Sequence, residues 1–110
     1  MTYEKEIVEY QKMEKQLEAI MAQRIQLEVQ LKEIENALKE LDKVSSDEIY
    51  RSLGNILIKT TKEEAKKDLE EKKVLFSSRV KTFKEQEEQY KANILRLTKK
   101  LQRASDGQSS

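Results

Sequence analysis

Apolar side chains recur along the first forty or so residues at alternating spacings of three and four. Counted from Tyr3, heptad position a holds Tyr3, Tyr10, Leu17, Arg24, Leu31 and Leu38, and position d holds Glu6, Met13, Ile20, Leu27, Ile34 and Leu41. Ten of these twelve residues are apolar or aromatic, over more than five heptads. A repeat sustained that long marks a coiled-coil seam rather than the short stripe of a globular helix. It predicts a helix over residues 3–43.

A second repeat places Leu69, Phe76, Phe83, Tyr90, Leu97 and Ala104 at d, and Lys66, Lys73, Val80, Glu87, Ile94 and Leu101 at a. Thr61 and Glu64 have the N-cap and N3 spacing of a capping box, so the second helix is expected over 62–104, followed by a disordered tail, 105–110. Half of its a positions are polar. A polar residue there is tolerated when its head reaches water or meets an opposite charge. Arg24 and Glu87 are candidates for such a pair, and two independently solvated heads are the alternative.

Fewer than twenty residues separate the helices, too few to carry the second back along the first in parallel, so the seams meet antiparallel. At a rise of ~1.5 Å per residue each helix spans roughly 60 Å. The period breaks between them. Glu48-Ile49-Tyr50-Arg51-Ser52-Leu53 and Ile56-Leu57-Ile58-Lys59-Thr60 flank Gly54-Asn55, and a Gly-Asn pair between β-forming runs suits a type II′ hairpin turn with glycine at positive φ. A lone hairpin is marginal in water and would leave two bare edges. Ile49, Tyr50, Leu53, Gly54, Ile56, Leu57 and Ile58 are therefore candidates for an oligomer interface, a plain irregular loop that tucks these residues onto the helices being the alternative. The fold class expected is mainly α: an antiparallel two-helix coiled-coil hairpin with a short β-hairpin at the bend, a single domain over 1–110.

Composition supports long solvated helices. Charged residues make up 39% of the chain against 36% hydrophobic, there is no proline, and Gly54 and Gly107 are the only glycines. Without cysteine or histidine, thiol nucleophiles, disulfides, Cys/His zinc sites and imidazole acid–base chemistry are excluded. Carboxylates and lysines are plentiful but read as solvated faces, so no enzyme, no catalytic residue, no metal and no cofactor is expected. No apolar run is long enough for a signal peptide or a membrane span, which predicts a soluble cytoplasmic protein with no membrane partner.

The net charge of +1 hides an asymmetry: residues 1–41 carry 6 basic and 9 acidic groups, and residues 61–104 carry 13 and 8. Antiparallel pairing is expected to set Glu4, Glu6 and Glu9 beside Lys91, Arg96, Lys99, Lys100 and Arg103, which accounts for the asymmetry. A nucleic-acid patch ranks below that reading, since no stacking platform accompanies the bases.

The heptad helix, the segment Ile49-Tyr50-Arg51-Ser52-Leu53-Gly54-Asn55-Ile56-Leu57-Ile58, the run Lys59-Thr60-Thr61-Lys62-Glu63-Glu64-Ala65 and the second heptad helix together resemble the β-type subunit of prefoldin over nearly the whole chain. The resemblance implies a heterohexamer of two α-type and four β-type subunits, joined through a β-barrel of hairpins. It implies ATP-independent holding of unfolded polypeptide clients and their delivery to a group II chaperonin. It further implies client binding at the helix tips, here Tyr3, Ile7, Val8, Tyr10, Met13, Leu97, Leu101 and Ala104. Ile7 and Val8 fall at e and f, off the seam, and are the best candidates for exposed apolar surface. A structural dimerisation or spacer module without clients is the alternative; it accounts for the helices but not for the apolar hairpin.

Overall fold

The first helix forms where the heptad repeat runs without a breaker. The computed structural model describes residues 3–109, with α1 spanning Glu4–Lys43, β1 Glu48–Leu53, β2 Ile56–Thr61 and α2 Lys62–Ser109. Acidic Glu4 and Glu6 sit in the first turn of α1 and Lys43 in its last, each the sign that the backbone dipole favours. The described chain groups into two compact units: residues up to Ile25 with those from Lys81 onward, and Gln26–Val80.

In the unit Gln26–Val80, Ile34, Leu41 and Val80 are buried, and Leu27, Leu31, Leu38, Ala65, Leu69 and Phe76 are half-buried. Lys66 and Lys73, which the repeat assigns to position a, are exposed instead. The buried side of α2 here runs through Lys62, Ala65, Leu69, Phe76 and Val80. An unpaired ammonium is costly to bury; Lys66 and Lys73 keep theirs in water, whereas Lys62 can pack because its Nζ meets backbone carbonyls.

The strands pair antiparallel, with Leu53 opposite Ile56 and Glu48 opposite Thr61, which leaves Gly54-Asn55 as a two-residue loop. Gly54 has φ +59° and Asn55 does not have positive φ, the combination of signs a type II′ turn requires. The junctions on either side are closed locally. The Glu48 N–H donates to Ser46 Oγ at 3.1 Å, and the Lys62 N–H donates to the Asp47 carbonyl at 3.3 Å.

At the start of α2 the Glu64 N–H donates to Thr61 Oγ1 at 3.1 Å, the N-cap half of the capping box. The reciprocal half is replaced: the Glu64 carboxylate accepts from Thr60 Oγ1 at 3.0 Å. Lys62 Nζ reaches the carbonyls of Val44 at 3.0 Å and Asp42 at 3.5 Å, so a residue of α2 satisfies acceptors left open at the end of α1.

In the other unit, Tyr10, Met13, Leu17 and Ile20 of α1 and Phe83, Tyr90, Ile94, Leu97 and Leu101 of α2 are half-buried. Glu6 pairs with Lys100 and Arg24 with Glu87. The number rises along α1 as it falls along α2, so the helices of this unit run antiparallel. Where a disordered tail is expected from residue 105, α2 continues to Ser109; no proline removes a backbone donor there. Ser110, the remainder of that tail, lies outside the described residues.

Candidate functional site

Two surfaces gather the candidate residues. The first is the hairpin. Side chains alternate between the faces of a strand, so the register puts Ile49, Arg51, Leu53, Ile56, Ile58 and Thr60 on one face, and Glu48, Tyr50, Ser52, Leu57, Lys59 and Thr61 on the other. The apolar candidates are thus divided between both faces. Ile49 is half-buried, whereas Tyr50, Leu53, Ile56, Leu57 and Ile58 remain between 44% and 69% exposed. The sheet has two strands only, so in the described chain each strand has one edge without a neighbour.

The face bearing Leu53 and Ile58 looks onto a groove lined also by Arg51, Glu64, Lys67, Asp68 and Glu71. Across it the Arg51 guanidinium meets Asp68 at 3.0 Å. On the opposite face Lys59 and Glu48 pair diagonally at 2.6 Å. Both pairs are about half exposed or more and contribute little stability on their own; only Arg51–Asp68 links the strand pair to α2. Sequence reasoning misses Arg51–Asp68 because the partners lie seventeen residues apart on elements of different period.

The second surface is at the ends of the helices. Tyr3, Tyr10, Met13, Leu97, Leu101 and Ala104 are half-buried, and Ile7 and Val8 are exposed. The Tyr3 carbonyl accepts the Ile7 N–H at 2.9 Å, opening α1. Beside these residues a groove is lined by Met13, Leu97, Glu9, Asn93 and the bases Arg96, Lys99, Lys100 and Arg103. The expected juxtaposition of these charges is seen in two places, with Lys100 reaching Glu6 at 3.5 Å and Glu9 lining the same groove as the four bases, whereas Arg96 turns to the Asn93 side-chain carbonyl. Holding two long side chains in one exposed geometry gains little in water, so most of the opposite charges stay apart.

Arg24 and Glu87 form the pair that their heptad positions suggest. Arg24 Nε donates to Glu87 Oε2 at 2.6 Å, with the glutamate side chain 5% exposed and the arginine 19%. Among the described residues, no group of three or more acidic side chains is placed to hold a metal ion, and no helix is long and apolar enough to cross a membrane.

Two long helices joined through an exposed strand pair define a class of coiled-coil chain. The chain belongs to the prefoldin subunit family, whose profile, described as "Prefoldin subunit", matches residues 4–108. It is 39% identical over 97 residues to prefoldin subunit beta of Archaeoglobus fulgidus, covering 87% of this chain and 84% of the relative. It is 34% identical over 92 residues to the Pyrococcus furiosus beta subunit, covering 83% and 79%. Among solved structures, the prefoldin beta subunit from Thermococcus strain KS-1 superposes with a TM-score of 0.82 at 26% identity, covering 90% of this chain and 88% of that one.

Proposed function

We propose that this chain is a β-type subunit of a cytoplasmic prefoldin, an ATP-independent chaperone component without enzymatic activity. In this reading the hairpin joins it to an α-type subunit and to other β-type subunits, in a hexamer of two α and four β chains. The helix ends hold unfolded polypeptides for delivery to a group II chaperonin. The observation that carries the reading is the hairpin, which has apolar residues on both faces and an unpaired edge on each strand. One face of apolar residues could be covered by the chain's own helices; two faces and two edges call for neighbouring strands. A spacer module has no use for such a segment.

The helix ends supply the holding surface. Ile7 and Val8 present apolar area to water, and terminal turns open at little cost, which releases Tyr3, Tyr10, Met13, Leu97, Leu101 and Ala104 from one another. Met13 adapts to varied partners, and weak contacts at several subunits add as avidity. The test is to mix the chain with an α-type prefoldin subunit, measure mass by light scattering, and follow aggregation of a chemically unfolded protein. A hexamer mass with suppressed aggregation is expected; a chain that stays unassembled and leaves aggregation unchanged refutes the reading.

A further inference from the structure

The groove at the helix ends has a character that a purely apolar holding surface lacks. Arg96, Lys99, Lys100 and Arg103 follow one another at i, i+3, i+4 and i+7 along one side of α2, around an apolar floor of Met13 and Leu97. Among the described residues, Glu9 is the one acidic residue that lines it. Lys100 is the one base of the four with a carboxylate partner among the described residues, Glu6 at 3.5 Å. The remaining three cations face water beside an apolar strip.

We infer that this groove selects acidic amphipathic segments of polypeptide, in which apolar side chains fill the floor while interleaved Asp or Glu carboxylates meet Arg96, Lys99 and Arg103. The inference deepens the holding role proposed above and rests on it. Carboxylates and guanidinium groups bind with matched, bidentate geometry, and a lysine-rich segment of equal hydrophobicity is repelled by the same three charges. Nucleic acid fits less well, because no aromatic side chain lines the groove to stack a base and Glu9 would face the phosphates.

The experiment compares three fluorescent peptides with identical leucines and interleaved Glu, Ser or Lys, together with a single-stranded RNA 12-mer, by anisotropy against the full chain. At low salt the Glu peptide is expected to bind about tenfold tighter than the Lys peptide, three exposed pairs each contributing modestly, with the gap closing in high salt. The triple variant R96E/K99E/R103E reverses the order, and R96Q/K99Q/R103Q removes it, with helical content unchanged by circular dichroism. Equal binding of the three peptides overturns the inference and leaves the holding role standing. RNA binding tighter than the Glu peptide overturns it in favour of a nucleic-acid site. Binding of no peptide, with no suppression of aggregation, overturns both.

Discussion

Removing Arg24 should cost far more stability than removing Glu87, although the two residues make the same ion pair. Arg24→Met leaves a carboxylate that is 5% exposed without the guanidinium 2.6 Å from it. Stripping one partner from a buried pair typically costs about 3–5 kcal/mol, because the remaining charge loses both its hydration and its counterion. Glu87→Leu leaves arginine, whose side chain is already 19% exposed. Its stem can stay packed while the head swings to water, so the loss is about 1–2 kcal/mol, near that of a single charged hydrogen bond. In the double variant R24M/E87L two apolar side chains replace the pair at the seam, and stability should come within about 1 kcal/mol of the parent or exceed it. Urea unfolding followed by circular dichroism at 222 nm on all four proteins gives the coupling energy directly. Equal losses for the two single variants, or a coupling near zero, would show that the short contact is two independently solvated heads and that burial of Glu87 carries no penalty.

Three further outcomes follow from the hairpin and the helix ends. Replacing Ile56 and Ile58 with lysine removes the side chains that are 65% and 44% exposed in the lone chain; at roughly 1.5–3 kcal/mol for complete burial of each, about 2–3 kcal/mol of interface is lost per copy, and light scattering should find no hexamer while helical content stays high. Ile7→Ser with Val8→Ser and Tyr10→Ser should keep the assembled mass and weaken protection of an unfolded client; undiminished suppression of aggregation by that assembly rules the tips out as the holding surface. Gly54→Ala meets no atom within 4 Å of the added Cβ, so its cost is that of the backbone alone at φ +59°, about 1 kcal/mol or slightly more, seen as faster amide exchange in β1 and β2 with α1 and α2 unaffected.

Most of this architecture can be read from local signals. The repeat from Tyr3 to Leu41 specifies α1 because a 3-4 alternation has one geometric solution, and Gly54-Asn55 between two apolar runs specifies both the turn and, through it, the pairing of Leu53 with Ile56. The repeat is less informative where its positions are filled by lysine. Lys66 and Lys73 fit the count but stay exposed, and the buried side passes through Lys62 and Ala65 instead; an ammonium is tolerated there only where, as for Lys62, backbone carbonyls receive it. Charge pairing between distant segments is harder still. Arg24–Glu87 is anticipated because both residues occupy seam positions, whereas Arg51–Asp68 and the reach of Lys62 to the carbonyls of Asp42 and Val44 depend on how a strand pair meets a helix. The bases of α2 are legible as neighbours of the acids of α1, with Glu6 reached by Lys100 and Glu9 lining their groove. Which base takes a carboxylate depends on side-chain rotamers that a sequence does not specify; among the described residues Arg96, Lys99 and Arg103 take none.

The division of Tyr50 and Leu57 from Leu53, Ile56 and Ile58 onto opposite faces of one strand pair has a consequence for how much of this chain a cell can hold. A copy without neighbours leaves two apolar faces and two open edges available to any extended polypeptide, including another copy of itself. In the assembly proposed above, a surplus of this chain over its partners would therefore be a hazard rather than a reserve, and its synthesis would have to be balanced against theirs.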